Sequence, residues 1–102
     1  MSVFRTKDSA VITLRDYTTK EEKYLIVRAY EGQQSGETVK VTLNHNVNKH
    51  ITIKSLTDCV IESPHSFDLE FDEIVLNKFA SIELKNVGDV WYILSSDGLK
   101  NS

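Results

Sequence analysis

Thr38-Val39-Lys40-Val41-Thr42-Leu43 decides how this chain is to be read. Val39, Val41 and Leu43 fall on one side of an extended backbone, with Lys40 and Thr42 on the other. A period of two belongs to a half-buried strand and not to a helix. The same grammar extends outward. On the N-terminal side, Glu31 to Glu37 is a flexible polar loop with glycines at 32 and 36. Before it, Lys23 to Tyr30 contains Tyr24-Leu25-Ile26-Val27, apolar on both faces and suited to a central strand. Asp16 to Glu22 reads as a polar break, and Ala10 to Leu14 as a first strand with Ala10, Ile12 and Leu14 on one face. On the C-terminal side, Asn44 to Lys49 is an Asn-rich turn, since Asn tolerates left-handed backbone better than other non-glycine residues.

Beyond that turn, Ile51-Thr52-Ile53 and Asp58 to Glu62 are short strands, and Ser63-Pro64-His65-Ser66 is a turn on the only proline. Phe67, Leu69 and Phe71 alternate with Asp68, Glu70 and Asp72, which predicts a strand with an acidic outer side. The period breaks at Asp72-Glu73, where a bulge or corner is expected. Ile74 to Leu76 and then Ile82 and Leu84 resume it. Asn86 to Asp89 is a hairpin turn into Val90-Trp91-Tyr92-Ile93-Leu94, and the end from Ser95 is polar and expected to be loose. Ten Val, eight Ile and eight Thr against three Ala reinforce the preference for strands. The expected fold is all-β: a compact antiparallel β-sandwich or jelly-roll-like barrel of about eight short strands. Its parts are an N-terminal arm (1–8), one β domain (9–96) and a C-terminal tail (97–102).

Composition narrows function mainly by exclusion. The 102 residues start at Met1 and are read as a complete chain, carrying 12 basic and 15 acidic side chains for a net charge of −3. The basic residues are scattered singly, so no phosphate-binding patch forms and nucleic acid is not an expected partner. No apolar run is long enough to span a membrane. Cys59, the only cysteine, lies in Cys59-Val60-Ile61 and reads as a small buried hydrophobe. Together with the absence of a signal-peptide pattern, it suggests synthesis in a reducing cytoplasm. A small domain without a disulfide often gains stability by oligomerising.

The chemistry-bearing residues form no catalytic set. His45 and His50 are five apart across a turn and match no zinc pair, and His65 stands alone. No Gly-x-Ser-x-Gly elbow or phosphate-binding loop is present. Along a straight strand, Asp68, Glu70 and Asp72 would not converge on a calcium ion; they form either a solvated face or a contact for a basic partner. No cofactor, metal or catalytic residue is therefore assigned. The expected partner-binding residues are Val3, Phe4 and Arg5 of the arm, which could equally be a frayed terminus, and the acidic Asp68, Glu70 and Asp72.

The final hairpin, Ser81-Ile82-Glu83-Leu84-Lys85-Asn86-Val87-Gly88-Asp89-Val90-Trp91-Tyr92-Ile93-Leu94-Ser95-Ser96, resembles the C-terminal hairpin of small β-structured virion proteins of tailed bacteriophages. Those proteins occur in tail fibres, tailspikes and capsid decoration. The strands from Lys23 to Ala29, Val39-Lys40-Val41, Ile51-Thr52-Ile53 and Val60-Ile61 are similar to the preceding strands of such modules. The pattern departs where Ser63-Pro64-His65-Ser66 stands in place of a Gly-rich turn, and the chain has no fibre shaft or repeats. The resemblance implies a non-enzymatic capsid decoration (cement) protein on the virion surface. It would form a homotrimer that bridges major capsid subunits. The alternative is a receptor- or carbohydrate-binding tip of a tail fibre or baseplate, with exposed aromatics such as Tyr17 or Tyr30 beside loop acids in a concave site.

Overall fold

A computed structural model describes residues 3–44, 46–47 and 49–99. Among the described residues nine strands follow in chain order: β1 (Val3–Arg5), β2 (Ser9–Ile12), β3 (Asp16–Thr18), β4 (Tyr24–Val27), β5 (Val39–Thr42), β6 (His50–Ser55), β7 (Cys59–Phe67), β8 (Phe71–Val87) and β9 (Val90–Leu99). They form one curled, barrel-like sheet in the order β1-β2-β4-β6-β8-β9-β7-β5-β3, with β8 also paired to β7. The all-β, barrel-like expectation holds.

The pairing differs from the antiparallel expectation, because the sheet is mixed. Strands β2, β4 and β6 stack in parallel on one side, and β3, β5 and β7 stack in parallel on the other. After β2 the chain crosses at each connection and climbs one rung every second strand, like a short coil with two faces. Alternation within a strand reports only which side chains face inward, so it cannot distinguish this stacking from a meander.

Inward side chains line up in rows across the rungs. Ala10, Leu25, Ile53 and Ile82 are in register on one face, and Tyr17, Val41, Ile61 and Ile74 on the other. All eight are buried. β-Branched residues in such rows pack well on a pleated surface, which explains the Val and Ile excess. The hairpin β8–β9 covers the last rung with Leu84 and Trp91, both fully buried. Its turn, Gly88-Asp89, has positive φ at both residues (58° and 66°), as a two-residue I′ hairpin requires.

Several boundaries move relative to the sequence reading. Residues 63–66 are a bulged stretch inside β7, where register shifts between Glu62 and Phe67. Asp16–Thr18, expected as part of a polar break, is strand β3 with Tyr17 turned inward. The C-terminal end is strand as far as Leu99, and 100–102 lie outside the described residues. The glycine loop expected to be flexible is braced: Gln33 Nε2 donates to Thr57 Oγ1 and to the Glu37 carbonyl, each at 3.0 Å.

The largest correction concerns the acidic row. Asp68, Leu69 and Glu70 form the turn between β7 and β8, bridging the paired residues Phe67 and Phe71. Asp68 and Leu69 have positive φ (53° and 61°), and Leu69 is 71% exposed. A leucine in that region costs about 1–2 kcal/mol. Glycine relieves that cost but loses about 0.5–1 kcal/mol more backbone entropy on folding. Leu69→Gly should therefore raise stability by about 0.5 kcal/mol in a denaturant titration. A loss near 2 kcal/mol or more, the cost of truncating an inward leucine, would restore the strand reading.

Candidate functional site

The outward row Ser9–Tyr24–Thr52–Glu83–Ser95 crosses β2, β4, β6, β8 and β9 in register. Its centre is the floor of a groove. Thr52 is short, while Tyr24 and Glu83 stand on either side, two strand spacings or roughly 10 Å apart. The loops entering β4 and β6 add Glu21, Lys23, Val47 and Lys49, and His50 sits at the start of β6. The open groove has a volume of about 550 Å³, within the range of small-molecule sites. The backbone locks the two loops' strands together, Thr52 N–H donating to the Lys23 carbonyl at 2.9 Å.

The polar side of the groove is pre-positioned. Glu83 Oε2 lies 2.6 Å from His50 Nε2, a charge-assisted contact when His50 is protonated. Ser95 donates its hydroxyl to Glu83 Oε1 at 3.2 Å. A carboxylate offers about four lone-pair sites, so acceptor capacity remains on Glu83. The apolar side is Tyr24, half-exposed at 50%. The two tyrosines anticipated for such a place are elsewhere, because Tyr17 and Tyr30 are buried core residues. The site gave no sequence motif; Tyr24 and Glu83 face one another across Thr52 only because β6 pairs with β4 in parallel on one side and with β8 antiparallel on the other.

Continuing along the same outer face, Phe4, Val11 and Ile26 are in register on β1, β2 and β4. Phe4 is 67% exposed, so this row presents apolar surface beside the Tyr24 end of the groove.

Of the expected partner-binding residues in the arm, Val3 packs against the core and Phe4 projects outward. Arg5 is engaged internally. It donates from Nη1 to Glu22 Oε1 at 2.9 Å and from Nη2 to the Tyr17 hydroxyl at 2.7 Å. Tyr17 donates to the same Glu22 oxygen at 3.0 Å, and Lys20 N–H donates to Oε2 at 2.8 Å. The Glu22 side chain is almost wholly buried. Because β1 and β3 are the two open edges of the sheet, this cluster ties edge to edge with side chains. Among the acids, the Asp68 carboxylate accepts from Ile93 N–H at 3.0 Å; Glu70 lies in the turn and Asp72 is exposed on β8. The arm and the acidic turn belong to an edge and to the middle of the sheet order, so the structure does not join them into one patch.

Among the described residues, no group of three or more His, Cys, Asp or Glu is placed to hold a metal ion. His45 and the side chain of His65 lie outside the described set. Cys59 is buried, and burial pushes its thiol up to about 12, far from the thiolate a nucleophile needs. No family model matches the chain, and a search of the curated proteins finds no match.

Two consequences are measurable. Burial, then the hydrogen bond to Glu22, holds the Tyr17 pKa above its ordinary 10.0. A folded-state value above the unfolded one stabilises the fold fully below the ordinary value, and that contribution is lost as pH rises through the folded value. Stability of the wild-type chain should therefore fall above about pH 10 more steeply than that of Tyr17→Phe; equal slopes would remove Tyr17 from the account. Cys59 should resist aromatic disulfide reagents in the native protein and react promptly once unfolded. Rapid native labelling would contradict its burial.

Proposed function

We propose that the chain is a non-enzymatic structural module of a tailed-phage virion, a capsid decoration protein that assembles as a homotrimer and bridges neighbouring capsid subunits. Its place would be the outer surface of the particle, with the major capsid protein and copies of itself as partners. The observation that carries this reading is the apolar row Phe4–Val11–Ile26 on the outer face of β1, β2 and β4, exposed at Phe4 and half-buried at Val11 and Ile26. Contiguous apolar surface on a small domain is a common mark of a protein contact. The hairpin that resembles those of virion proteins is the piece covering the last rung, which supports the same assignment. Adhesion of this kind works by mass action. Every contact present only in the assembled shell shifts the equilibrium away from dissociated subunits.

A second reading, an attachment module of a fibre or baseplate, is favoured by the groove, where an exposed tyrosine stands opposite a carboxylate.

Sedimentation velocity tests the first reading. The wild-type chain should sediment as a trimer at micromolar concentration, and Phe4→Asp as a monomer with an unchanged circular dichroism spectrum. A wild-type chain that stays monomeric would defeat it.

A further inference from the structure

We infer that the groove between Tyr24 and Glu83 is a binding site for a neutral saccharide. The inference deepens the attachment reading and rests on it.

The site's chemistry selects the ligand class. Its charged lining is balanced. Three basic side chains, Lys23, Lys49 and His50, stand among three acidic ones, Glu21, Glu22 and Glu83. A polyanion such as a nucleic acid or a polyphosphate would need a surplus of cations, and a basic peptide a surplus of acids. A balanced lining suits a ligand that is polar but uncharged. Tyr24, a half-exposed residue in the lining, supplies an aromatic side chain as an apolar platform. A pyranose has matching parts: a C–H face that lies on an aromatic ring, and hydroxyls around its rim that both donate and accept.

Hydroxyl recognition falls to the opposite wall. Glu83 is held by His50 at 2.6 Å and by Ser95 at 3.2 Å, so its carboxylate orientation is set before a ligand arrives. Pre-set acceptors avoid part of the ordering cost of binding. Its remaining lone pairs accept sugar hydroxyls, and Thr52 on the floor offers a hydroxyl that donates or accepts. The walls belong to strands of one hydrogen-bonded sheet, β4 and β8 with β6 between them. Their separation is therefore fixed by backbone and not by flexible loops. A stacked ring on one side and a carboxylate on the other, at a fixed spacing, selects for one ring and its substituents.

Titration of the full chain, followed by calorimetry and amide NMR, tests the site. The probes are glucose, galactose and N-acetylglucosamine with their short oligomers, and glucuronic acid and sialic acid as anionic counterparts. At least one neutral saccharide should bind, shifting amides of Tyr24, Thr52 and Glu83. Tyr24→Ala should weaken it about tenfold or more, the scale of one lost aromatic stacking contact. Tyr24→Phe should retain binding, and Glu83→Gln should lose it while keeping the wild-type melting temperature. Lys40→Ala, on the opposite outer face, should bind as wild type. Binding of acidic sugars alone, no binding of any probe, or undiminished binding by Tyr24→Ala would overturn the assignment. Labelled chain applied to bacterial cells separates the two levels. Retention on cells without saccharide binding would sink the saccharide site and leave attachment standing; absence of both would sink both.

Discussion

Strand β8 is hydrogen-bonded to β7 through Phe71–Leu76 and to β6 through Ser81–Lys85, while β9 runs along it from Leu76 to Val87. At 17 residues it is the longest strand and the one element shared by the two parallel stacks. Without it, β2-β4-β6 and β3-β5-β7 would be separate small sheets, each with an apolar inner face and nothing opposite to hold it in register. Parallel strands connected by crossovers close only when something ties the two faces together. Here that tie comes at the end of the chain. Most of the pairing is therefore long-range, which sets a high contact order and the slow folding that accompanies it.

Crossing from one face to the other requires β8 to bend, and the bend is visible in its backbone. Register shifts between Leu76 and Ser81, and Phe79 within that stretch has φ 72° and is 61% exposed. A bulge raises local twist and lets a strand turn a corner. The carbonyl freed at Phe79 is taken by Lys54 Nζ at 2.8 Å, and Lys78 N–H donates to Asp58 at 3.0 Å. The other strained stretch, Asp68-Leu69, has a comparable return, since the Asp68 carboxylate binds the Ile93 amide and pins the turn to β9. Both departures from ordinary backbone occur where β8 must be positioned. At the far end of the sheet no backbone ladder joins β1 to β3, and Arg5, Tyr17 and Glu22 do the joining with side chains.

How far this was legible in the sequence depends on distance along the chain. Strand identity was readable, because Val39-Lys40-Val41 or Ile82-Glu83-Leu84 declares its inner face within three residues. The hairpin turn at Gly88-Asp89 was readable for the same local reason, its I′ geometry appearing only in the backbone. Parallel stacking was not, because Ser9 opposite Tyr24 and Tyr24 opposite Thr52 are pairings between segments that are not neighbours in sequence. Alternation also misled at Phe67 to Asp72, where an apolar–acidic pattern ideal for a strand is broken by a left-handed turn. Tyr17 was hidden by its polar neighbours. Its burial follows from Arg5 and Glu22 satisfying its hydroxyl, a relation invisible until β1 and β3 are placed. The groove was hidden twice over, since neither Tyr24 nor Glu83 carries any signal that the other will face it across Thr52.

The outer face of the even strands thus divides along its length. Toward β1 it is apolar, with Phe4, Val11 and Ile26 in one row; toward β8 and β9 the row set one step along is polar, with Thr52, Glu83 and Ser95. Tyr24 stands at the boundary, sharing β4 with Ile26 and the groove row with Thr52. An amphipathic ring suits that position, since it meets apolar surface and water at once. Assembly through the apolar row would cover the neighbourhood of Tyr24 from one side and leave the Glu83 wall open. The groove would then deepen on assembly without being filled. The proposed contact between copies and the proposed ligand recognition would then be compatible on a single sheet face, with Tyr24 adjoining both.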